Sequence, residues 1–264
     1  MIINGREIAK EILAELKEKV QNLKVTPTLA IILVGDNPQS IAYIEQKELK
    51  ANKIGAQVIV KKLDYKVSES GLLNIIQDLN RDNSIHGIII QRPVANISSD
   101  KLDSAVLPQK DVDGFNPASN FEPPIARAII KIIKSVEPNF ADKKIAIVGK
   151  GETGGEPIIK VFQKMGIDLF VIDSKTENSE LITKSADIII SAVGKPNVIS
   201  SKDIKERVIL ISVGLHKGAD GKLHGDYNEE EIKDVASFYT PTPGGIGPVN
   251  VAMLLKNLVE TAAE

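Results

Sequence analysis

Cysteine is absent from the 264 residues of this chain. Disulfide bonds, thiolate catalysis and cysteine-ligated metal sites are therefore excluded. Histidine is nearly as scarce: His86, His216 and His224 are scattered without the spacing of metal ligands. We expect each of the three to be structural or solvated, and we expect no metal site.

Two further absences concern partners and location. Lysine and arginine number 33 against 35 acidic residues, so the net charge of -2 gives no basic footprint for nucleic acid. The sequence has neither a charged-then-apolar leader nor an apolar run long enough to span a bilayer. We therefore expect a cytoplasmic protein with no membrane partner and no nucleic-acid partner.

Apolar runs alternate with helix-length segments in the first half of the chain. An amphipathic helix is predicted over 4–22, where Ile8, Ile12 and Leu16 lie at helical spacing. After it, strands are predicted at 28–35, 56–63 and 86–91, and helices at 38–54, 68–79 and around 98–106. This alternation predicts an α/β fold with a parallel sheet and right-handed crossovers.

The most informative stretch joins an apolar strand to a glycine-rich turn. The run KKIAIV (143–148) is followed by Gly-x-Gly-x-x-Gly at 149–154, and a helix (157–165) and a second strand (168–173) are predicted next. Glycines let the backbone approach a diphosphate, and the amino end of the helix attracts its charge. Asp173 then lies where a Rossmann unit places an acid for a ribose hydroxyl. The alternative is a plain structural turn.

The remaining segments are less regular. Turn formers gather at 111–124 and indicate a domain boundary. A helix at 125–135 precedes the glycine-rich unit, and strands at 187–192 and 208–213 and a final helix at 251–262 follow it. The Pro/Gly cluster TPTPGGIGPVN (240–250) is either a loop shaped against a ligand or a passive connector.

Candidate chemical groups outside the glycine-rich turn lie in the first half. Tyr43 and Lys47 share one face of a predicted helix, with Ser40 one turn earlier, and their spacing alone favours a solvated polar face. Gln91 ends a predicted strand and Asp113 lies in a loop, where open α/β sheets keep ligand contacts. A turn or cap role fits these two residues equally.

Five motifs resemble the signatures of the bifunctional methylenetetrahydrofolate dehydrogenase/cyclohydrolase family, in the family's order and over nearly the whole chain. They are Ser40-Ile-Ala-Tyr43-Ile-Glu-Gln-Lys47, Gly87-Ile-Ile-Ile-Gln91-Arg-Pro93, Lys110-Asp-Val-Asp113-Gly-Phe-Asn-Pro117, Ala186-Asp-Ile-Ile-Ile-Ser-Ala-Val-Gly194-Lys-Pro196 and Pro243-Gly-Gly-Ile-Gly-Pro248. Because several motifs in register are far more specific than one, the resemblance overrides the solvated-face interpretation of Tyr43 and Lys47.

The resemblance implies two domains around a cleft. An N-terminal parallel α/β catalytic domain would comprise 1–118 plus 246–264, and a Rossmann NAD(P)-binding domain would comprise 119–245. The implied activity is oxidation of 5,10-methylenetetrahydrofolate to the methenyl form, followed by hydrolysis to 10-formyltetrahydrofolate. Tetrahydrofolate one-carbon derivatives would be the substrates, and a homodimer is implied.

The resemblance also implies roles for particular residues. The pterin would lie toward Lys47, Gln91 and Asp113, and Tyr43 would stack on the aromatic part of the substrate, so these four are the expected catalytic residues. Further substrate contacts are expected from Ser40, Gly244, Gly245 and Pro248. The expected cofactor-binding residues are Gly149, Lys150, Gly151, Gly154, Asp173, Ser174, Lys175, Val193, Gly194 and Gly214.

Departures from the family pattern concern the cofactor. The family usually has Arg and Ser where this chain has Lys150 and Gly151, and those residues help to hold the 2′-phosphate of NADP. Lys150 supplies a point charge without a bidentate fork, and Asp173 would repel a phosphate, whereas Ser174 and Lys175 favour one. We expect NADP from the family pattern, with NAD possible from the local residues.

A second departure is a shortened segment between Asn116 and Ile125. It permits an alternative function, a dehydrogenase with little cyclohydrolase activity. A non-catalytic nucleotide-binding module that has kept only the fold is a third hypothesis. The joint presence of Lys47, Gln91 and Asp113 favours the bifunctional enzyme over both.

Overall fold

The computed structural model describes residues 1–95 and 97–263. Within them the chain forms two compact units. The three-stranded unit contains Lys10–Pro124 and the chain from Val251 onward, and the five-stranded unit contains Met1–Ala9 and Ile125–Asn250. Glu264, the last residue of the predicted catalytic domain, lies outside the described residues.

The three-stranded unit is built on a parallel sheet of order β2-β1-β3. Helix α1 (Gly5–Gln21) precedes the sheet. The elements that follow are β1 (Thr28–Val34), α2 (Pro38–Ile54), β2 (Gln57–Leu63), α3 (Glu69–Arg81), β3 (Gly87–Gln91) and α4 (Ser99–Ala105). Strands β1 and β3 are almost wholly buried, which explains their unbroken apolar sequences.

The limits of α2 matter because this helix carries Tyr43 and Lys47. The Asn37 side chain caps its start by accepting from the backbone N–H groups of residues 39 and 40, and Pro38 occupies the first turn. Gly55 ends the helix in the left-handed conformation at φ 86°. The predicted helix over 38–54 is confirmed.

The five-stranded unit has a parallel sheet of order β10-β7-β6-β4-β5. Its strands are β4 (Ile145–Val148), β5 (Leu169–Ile172), β6 (Ile188–Ser191), β7 (Ile209–Ser212) and β10 (Phe238–Tyr239). Its other elements are α5 (Pro124–Val136), α6 (Gly155–Lys164), α7 (Ser179–Ser185), the hairpin β8 (His216–Lys217) and β9 (Leu223–His224), α8 (Glu229–Ile232) and the start of α9 (Ile246–Ala262). From β4 the chain passes to β5 on one side and then to β6 on the other, so the β4/β6 pair is a topological switch point.

One helix was missed, and the predicted limits of two others are wrong. Helix α7 was not predicted, and α6 begins at Gly155 instead of Pro157. Helix α9 begins at Ile246 instead of Val251, so Pro248 belongs to its first turn and not to the preceding loop. Proline fits there because the first N–H groups of a helix have no intrahelical partner.

The first residues of the chain extend the five-stranded sheet. The Ile3 N–H donates to the Tyr239 carbonyl at 2.8 Å, and the Tyr239 N–H donates to the Met1 carbonyl at 3.0 Å. Residues 1–9 therefore group with the five-stranded unit, whereas the sequence-based division assigned them to the catalytic domain. Among the described residues, no helix combines the length and apolarity that crossing a bilayer requires.

The carboxyl half of α9 packs in the three-stranded unit through a buried amide. Asn257 is fully buried, and its Nδ2 donates to the carbonyls of Val112 at 2.8 Å and Glu122 at 3.2 Å. A Cβ added at Gly87 would lie 2.9 Å from the Leu258 side chain, so strand β3 and the helix are in close contact. These contacts hold the segment that carries Asp113.

We expect Asn257→Ala to lower the free energy of unfolding of the three-stranded unit by about 1–3 kcal/mol, because two buried carbonyls lose a donor. Urea unfolding followed by circular dichroism measures the change. Thr261→Ala is the control, since its hydroxyl donates to the carbonyl of Asn257 within the same helix, and we expect a change of about 0.5 kcal/mol or less. Equal effects of the two substitutions would contradict the role of Asn257.

Candidate active site

A lysine and a glutamine meet at the carboxyl end of the three-stranded sheet. Lys47 lies on α2, Gln91 is the last residue of β3, and Lys47 Nζ donates to Gln91 Oε1 at 2.9 Å. Gln91 Nε2 donates to the Arg92 carbonyl at 3.2 Å. Because the amide nitrogen faces a carbonyl, the amide oxygen is left to accept from the lysine. The structure thus brings together two of the predicted catalytic residues.

Asp113 lies in the electrostatic field of this pair. Burial lowers the pKa of Lys47, and the charge of Asp113 opposes that shift. Burial raises the pKa of Asp113, with Lys47 and Arg92 acting in the other direction. Desolvation is the main cause of both shifts, so the site favours the neutral form of the Lys47 amine and the neutral form of the Asp113 carboxyl group.

The loop that presents Asp113 is held by its neighbours. Asp111 accepts from the N–H groups of Gly114 at 3.1 Å and Asn116 at 2.8 Å, and burial raises its pKa to about 6. Lys110 Nζ donates to two carbonyls near the end of α3. Gly114 has φ 70°, and a Cβ there would lie 2.7 Å from the backbone nitrogen of residue 123. Lys110 and Asp111 therefore shape the loop, whereas the Asp113 side chain makes no such backbone contact within residues 1–95 and 97–263.

Arg92 forms a second cluster beside Asp113 that sequence reasoning did not find. Its guanidinium pairs with Asp103, and it lies over the Phe115 ring at 4.6 Å from the centroid. Asp103 and Phe115 were not predicted, because nothing in the sequence ties α4 to the residue after Gln91.

The other two predicted substrate contacts on α2 differ in exposure. Ser40 is only 4% exposed, and its hydroxyl donates to the Arg92 carbonyl at 3.4 Å. Tyr43 is 41% exposed, and burial of its hydroxyl end raises its pKa. The tyrosine ring is therefore free to pack on a ligand, while Ser40 helps to fix the turn after β3.

The glycine-rich turn of the five-stranded unit connects β4 with α6. Gly149 has φ 93°, and a Cβ there would lie 2.7 Å from the Ala192 carbonyl oxygen. Gly155 was not among the predicted cofactor residues, yet a Cβ there would lie 1.9 Å from the Gly149 oxygen. A Cβ on Gly151 would meet nothing within 4 Å. The tight turn leaves an open backbone next to the amino end of a ten-residue helix, and this arrangement fits a dinucleotide diphosphate.

Lys150 and Asp173 form an ion pair beside this turn. Lys150 Nζ lies 2.8 Å from Asp173 Oδ2, and Asp173 Oδ1 accepts from the Lys175 N–H at 2.9 Å. The bond to Lys150 is the main reason that the pKa of Asp173 falls to about 2. Ser174 and Lys175 are exposed. The carboxylate therefore stays charged at neutral pH, and the lysine charge is already engaged.

The remaining predicted cofactor residues lie at the same edge of the sheet. Val193 and Gly194 follow β6, Gly214 follows β7, and a Cβ on Gly214 would lie 2.2 Å from the Gly194 nitrogen. Gly154 directly precedes α6. Gly244, Gly245 and Pro248, predicted as substrate contacts, belong to the five-stranded unit, whereas Ser40, Tyr43, Lys47, Gln91 and Asp113 belong to the three-stranded unit.

A glycine-rich turn at the switch point of a parallel sheet, with an acid after the next strand, defines a dinucleotide-binding α/β protein. Residues 3–113 match the catalytic domain of tetrahydrofolate dehydrogenase/cyclohydrolase, and residues 123–264 match its NAD(P)-binding domain. The chain belongs to the tetrahydrofolate dehydrogenase/cyclohydrolase family.

Relatives and solved structures agree with this assignment. The bifunctional protein FolD of Rickettsia bellii is 39% identical over 98% of this chain and 97% of its own length, and that of Anoxybacillus flavithermus is 39% identical over 100% and 98%. The bifunctional FolD structure from Campylobacter jejuni is 36% identical, with a TM-score of 0.95 over 99% of this chain and 98% of its own. The Trypanosoma brucei enzyme, solved with NADP and an inhibitor, is 27% identical, with a TM-score of 0.92 over 99% and 97%. The predicted two-domain α/β class is confirmed.

We expect Asp173→Ser to raise the ratio of kcat/KM for NADP to kcat/KM for NAD by about tenfold, because it removes a charge that repels the 2′-phosphate and releases Lys150. Initial rates with the two cofactors measure the ratio. Asp168→Ser is the control, since Asp168 is exposed at the other end of the same strand. If the ratio stays the same in Asp173→Ser, the carboxylate does not face the ribose.

Proposed function

We propose that this chain oxidises 5,10-methylenetetrahydrofolate to 5,10-methenyltetrahydrofolate with NAD(P)+ and hydrolyses the product to 10-formyltetrahydrofolate, with Lys47, Gln91 and Asp113 acting on the folate. Both activities are those of the family to which the chain belongs. The observation that carries the assignment of residues is the 2.9 Å hydrogen bond between Lys47 and Gln91, with the half-buried Asp113 close enough for its charge to act on Lys47.

The oxidation step needs positioning more than proton transfer. A hydride leaves the methylene carbon between N5 and N10, and the carbon becomes part of the methenyl cation. When bound, the nicotinamide supplies the hydride acceptor. The Gly149–Gly154 turn would hold the diphosphate, and Asp173 would accept from a ribose hydroxyl. Tyr43 would stack on the substrate, and Asp113 would pair with pterin ring nitrogens.

The hydrolysis step needs a base. The neutral amine of Lys47 takes a proton from the water that attacks the methenyl carbon, a C–O bond forms, and the bond from that carbon to N5 then breaks. The formyl group stays on N10, and one proton is released overall. Gln91 fixes the position of the amine without adding charge, since its oxygen accepts from Nζ and its nitrogen is tied to a backbone carbonyl.

The finer organisation of the protein belongs to the same proposal. The folate-binding domain would comprise 1–118 plus 246–264 and the Rossmann domain 119–245, with Gly244, Gly245 and Pro248 adding contacts to the substrate. The enzyme would act in the cytoplasm as a homodimer, since twofold dimers are the commonest oligomers. Sedimentation at several protein concentrations tests the dimer.

The test of the activity is a spectrophotometric assay with 5,10-methylenetetrahydrofolate and either NADP or NAD, in which reduced cofactor and the methenyl chromophore are followed separately. We expect reduced cofactor to form without accumulation of the methenyl product. Accumulation of that product would leave a dehydrogenase with little cyclohydrolase activity. No turnover with either cofactor would refute the proposed function.

We expect Lys47→Met to lower the rate of methenyl hydrolysis by about 100-fold or more, because it removes the base. Cofactor affinity should not change, since Lys47 lies in the three-stranded unit. The decay of the methenyl chromophore measures hydrolysis, and quenching or enhancement of NADPH fluorescence measures affinity. Lys53→Met, an exposed position on the same helix, is the control. Wild-type hydrolysis in Lys47→Met would remove Lys47 from the mechanism.

The pH dependence of hydrolysis follows from the state of Lys47. Because burial lowers the pKa of Lys47, the neutral amine forms at a lower pH than in an exposed lysine. The rate, after subtraction of a blank without enzyme, should rise with pH through this lowered pKa and then level off. Lys47→Arg should be slow at every pH, because a guanidinium keeps its proton. The same rising profile in Lys47→Arg would show that another group titrates.

A further inference from the structure

We propose that Asp226 is a positioning residue of the cofactor site, which holds the backbone of residues 193–195 in the shape that binds NAD(P); this inference rests on the cofactor site named in the proposed function. Asp226 lies between β9 and α8, in a segment without predicted regular structure, and no motif pointed to it. Its carboxylate is fully buried.

The contacts of Asp226 fall on one short segment. Oδ2 accepts from Ser191 Oγ at 2.7 Å and from the Val193 N–H at 2.9 Å. Oδ1 accepts from the Gly194 N–H at 2.7 Å and from the Lys195 N–H at 3.1 Å. Each carboxylate oxygen therefore meets two donors, and three successive N–H groups of the loop after β6 converge on one side chain. Such a set requires a group that only accepts.

The main chain of Asp226 is fixed as well. Its N–H donates to Ser212 Oγ at the end of β7 at 2.9 Å, and its carbonyl accepts from the Val198 N–H at 2.7 Å. The backbone of Asp226 is thus attached to the end of β7, and its carboxylate holds the loop that follows the neighbouring strand β6. A support of this kind fixes a loop within the small tolerance that ligand binding requires.

The held segment is in direct contact with the glycine-rich turn. A Cβ on Gly149 would lie 2.7 Å from the Ala192 oxygen and 3.0 Å from Val193 Cγ2, so the two loops touch through their backbones. The loop after β7 is equally close, because a Cβ on Gly214 would lie 2.2 Å from the Gly194 nitrogen. The Val193 side chain is nevertheless 38% exposed, which leaves an apolar surface beside the turn. Any shift of residues 193–195 would therefore change the surface that faces the cofactor.

A purely structural role and a positioning role differ in what they affect. If Asp226 only stabilised the fold, its replacement would lower the melting temperature and leave the cofactor KM of the folded protein unchanged. If it shapes the cofactor site, the KM for NAD(P) must rise while methenyl hydrolysis, which uses no cofactor, is kept. Methenyl hydrolysis by the same protein thus serves as the control for correct folding.

The test is Asp226→Asn, which keeps the shape but places an amide NH₂ against two donors. We expect the KM for NAD(P) in the dehydrogenase assay to rise by about tenfold or more, with methenyl hydrolysis within about twofold of wild type. Tyr227→Phe is the matched control, since Tyr227 is the next residue, is also buried, and its hydroxyl donates to the Thr240 carbonyl instead of contacting the loop. Its cofactor KM should equal that of wild type.

An unchanged KM in a folded Asp226→Asn protein would overturn the inference, as would an equal rise in Tyr227→Phe. If Asp226→Asn does not fold, Ser191→Ala decides, because it removes one of the four donors and leaves the carboxylate. A rise of about two- to threefold in its cofactor KM supports the inference, and no rise refutes it. If wild type oxidises no folate, the proposed function fails, but NADPH affinity measured by fluorescence in the same variants still tests Asp226.

Discussion

Both candidate sites depend on one constraint, the parallel arrangement of strands in each sheet. Parallel strands end at the same edge, so side chains and turns that are far apart in sequence arrive there together. In the three-stranded unit this edge carries Gln91 next to Lys47. In the five-stranded unit it carries the Gly149 turn and the loops after β6 and β7. The chemistry of each unit is thus assembled by the order of the strands.

Three acids with restricted access to solvent, two of them buried and one half-buried, have different roles, and the neighbours of each acid decide its role. Asp226 meets four donors and holds a loop. Asp111 accepts from two backbone N–H groups and shapes the turn in which Asp113 lies. Among the described residues no backbone N–H donates to Asp113; burial raises its pKa, and the charges of Lys47 and Arg92 act in the other direction. A desolvated acid whose side chain is not engaged by the backbone of its own loop is available for a ligand, and this distinguishes Asp113 from Asp111.

Local signals were enough for most helices and strands, and the resemblance supplied the candidate site residues. The predicted limits of α2 were correct because the signals that set them, Pro38 at its start and Gly55 at its end, are local; the Asn37 cap was seen only in the structure. The contacts of Asp226 and of Arg92 could not be predicted, because they join residues 35 and 11 positions apart that only the folded sheet brings together. The early start of α9 was missed because the Pro/Gly cluster before it predicts a loop, while proline is equally acceptable in a first helical turn.

In the ion pair beside the glycine-rich turn, the negative charge of Asp173 offsets the positive charge of Lys150. Lys150 is largely exposed, so the pair is weak and solvent competes with it. A ribose hydroxyl would donate to Asp173 and leave the pair intact, whereas a 2′-phosphate would have to draw Lys150 away from a carboxylate that stays charged at neutral pH. Lys175 offers a second positive charge on its side chain, while its backbone N–H donates to Asp173 and keeps that carboxylate beside the turn. The local charges would therefore favour the free hydroxyl of NAD more than the family pattern does, and the discrimination would rest on one partly buried carboxylate.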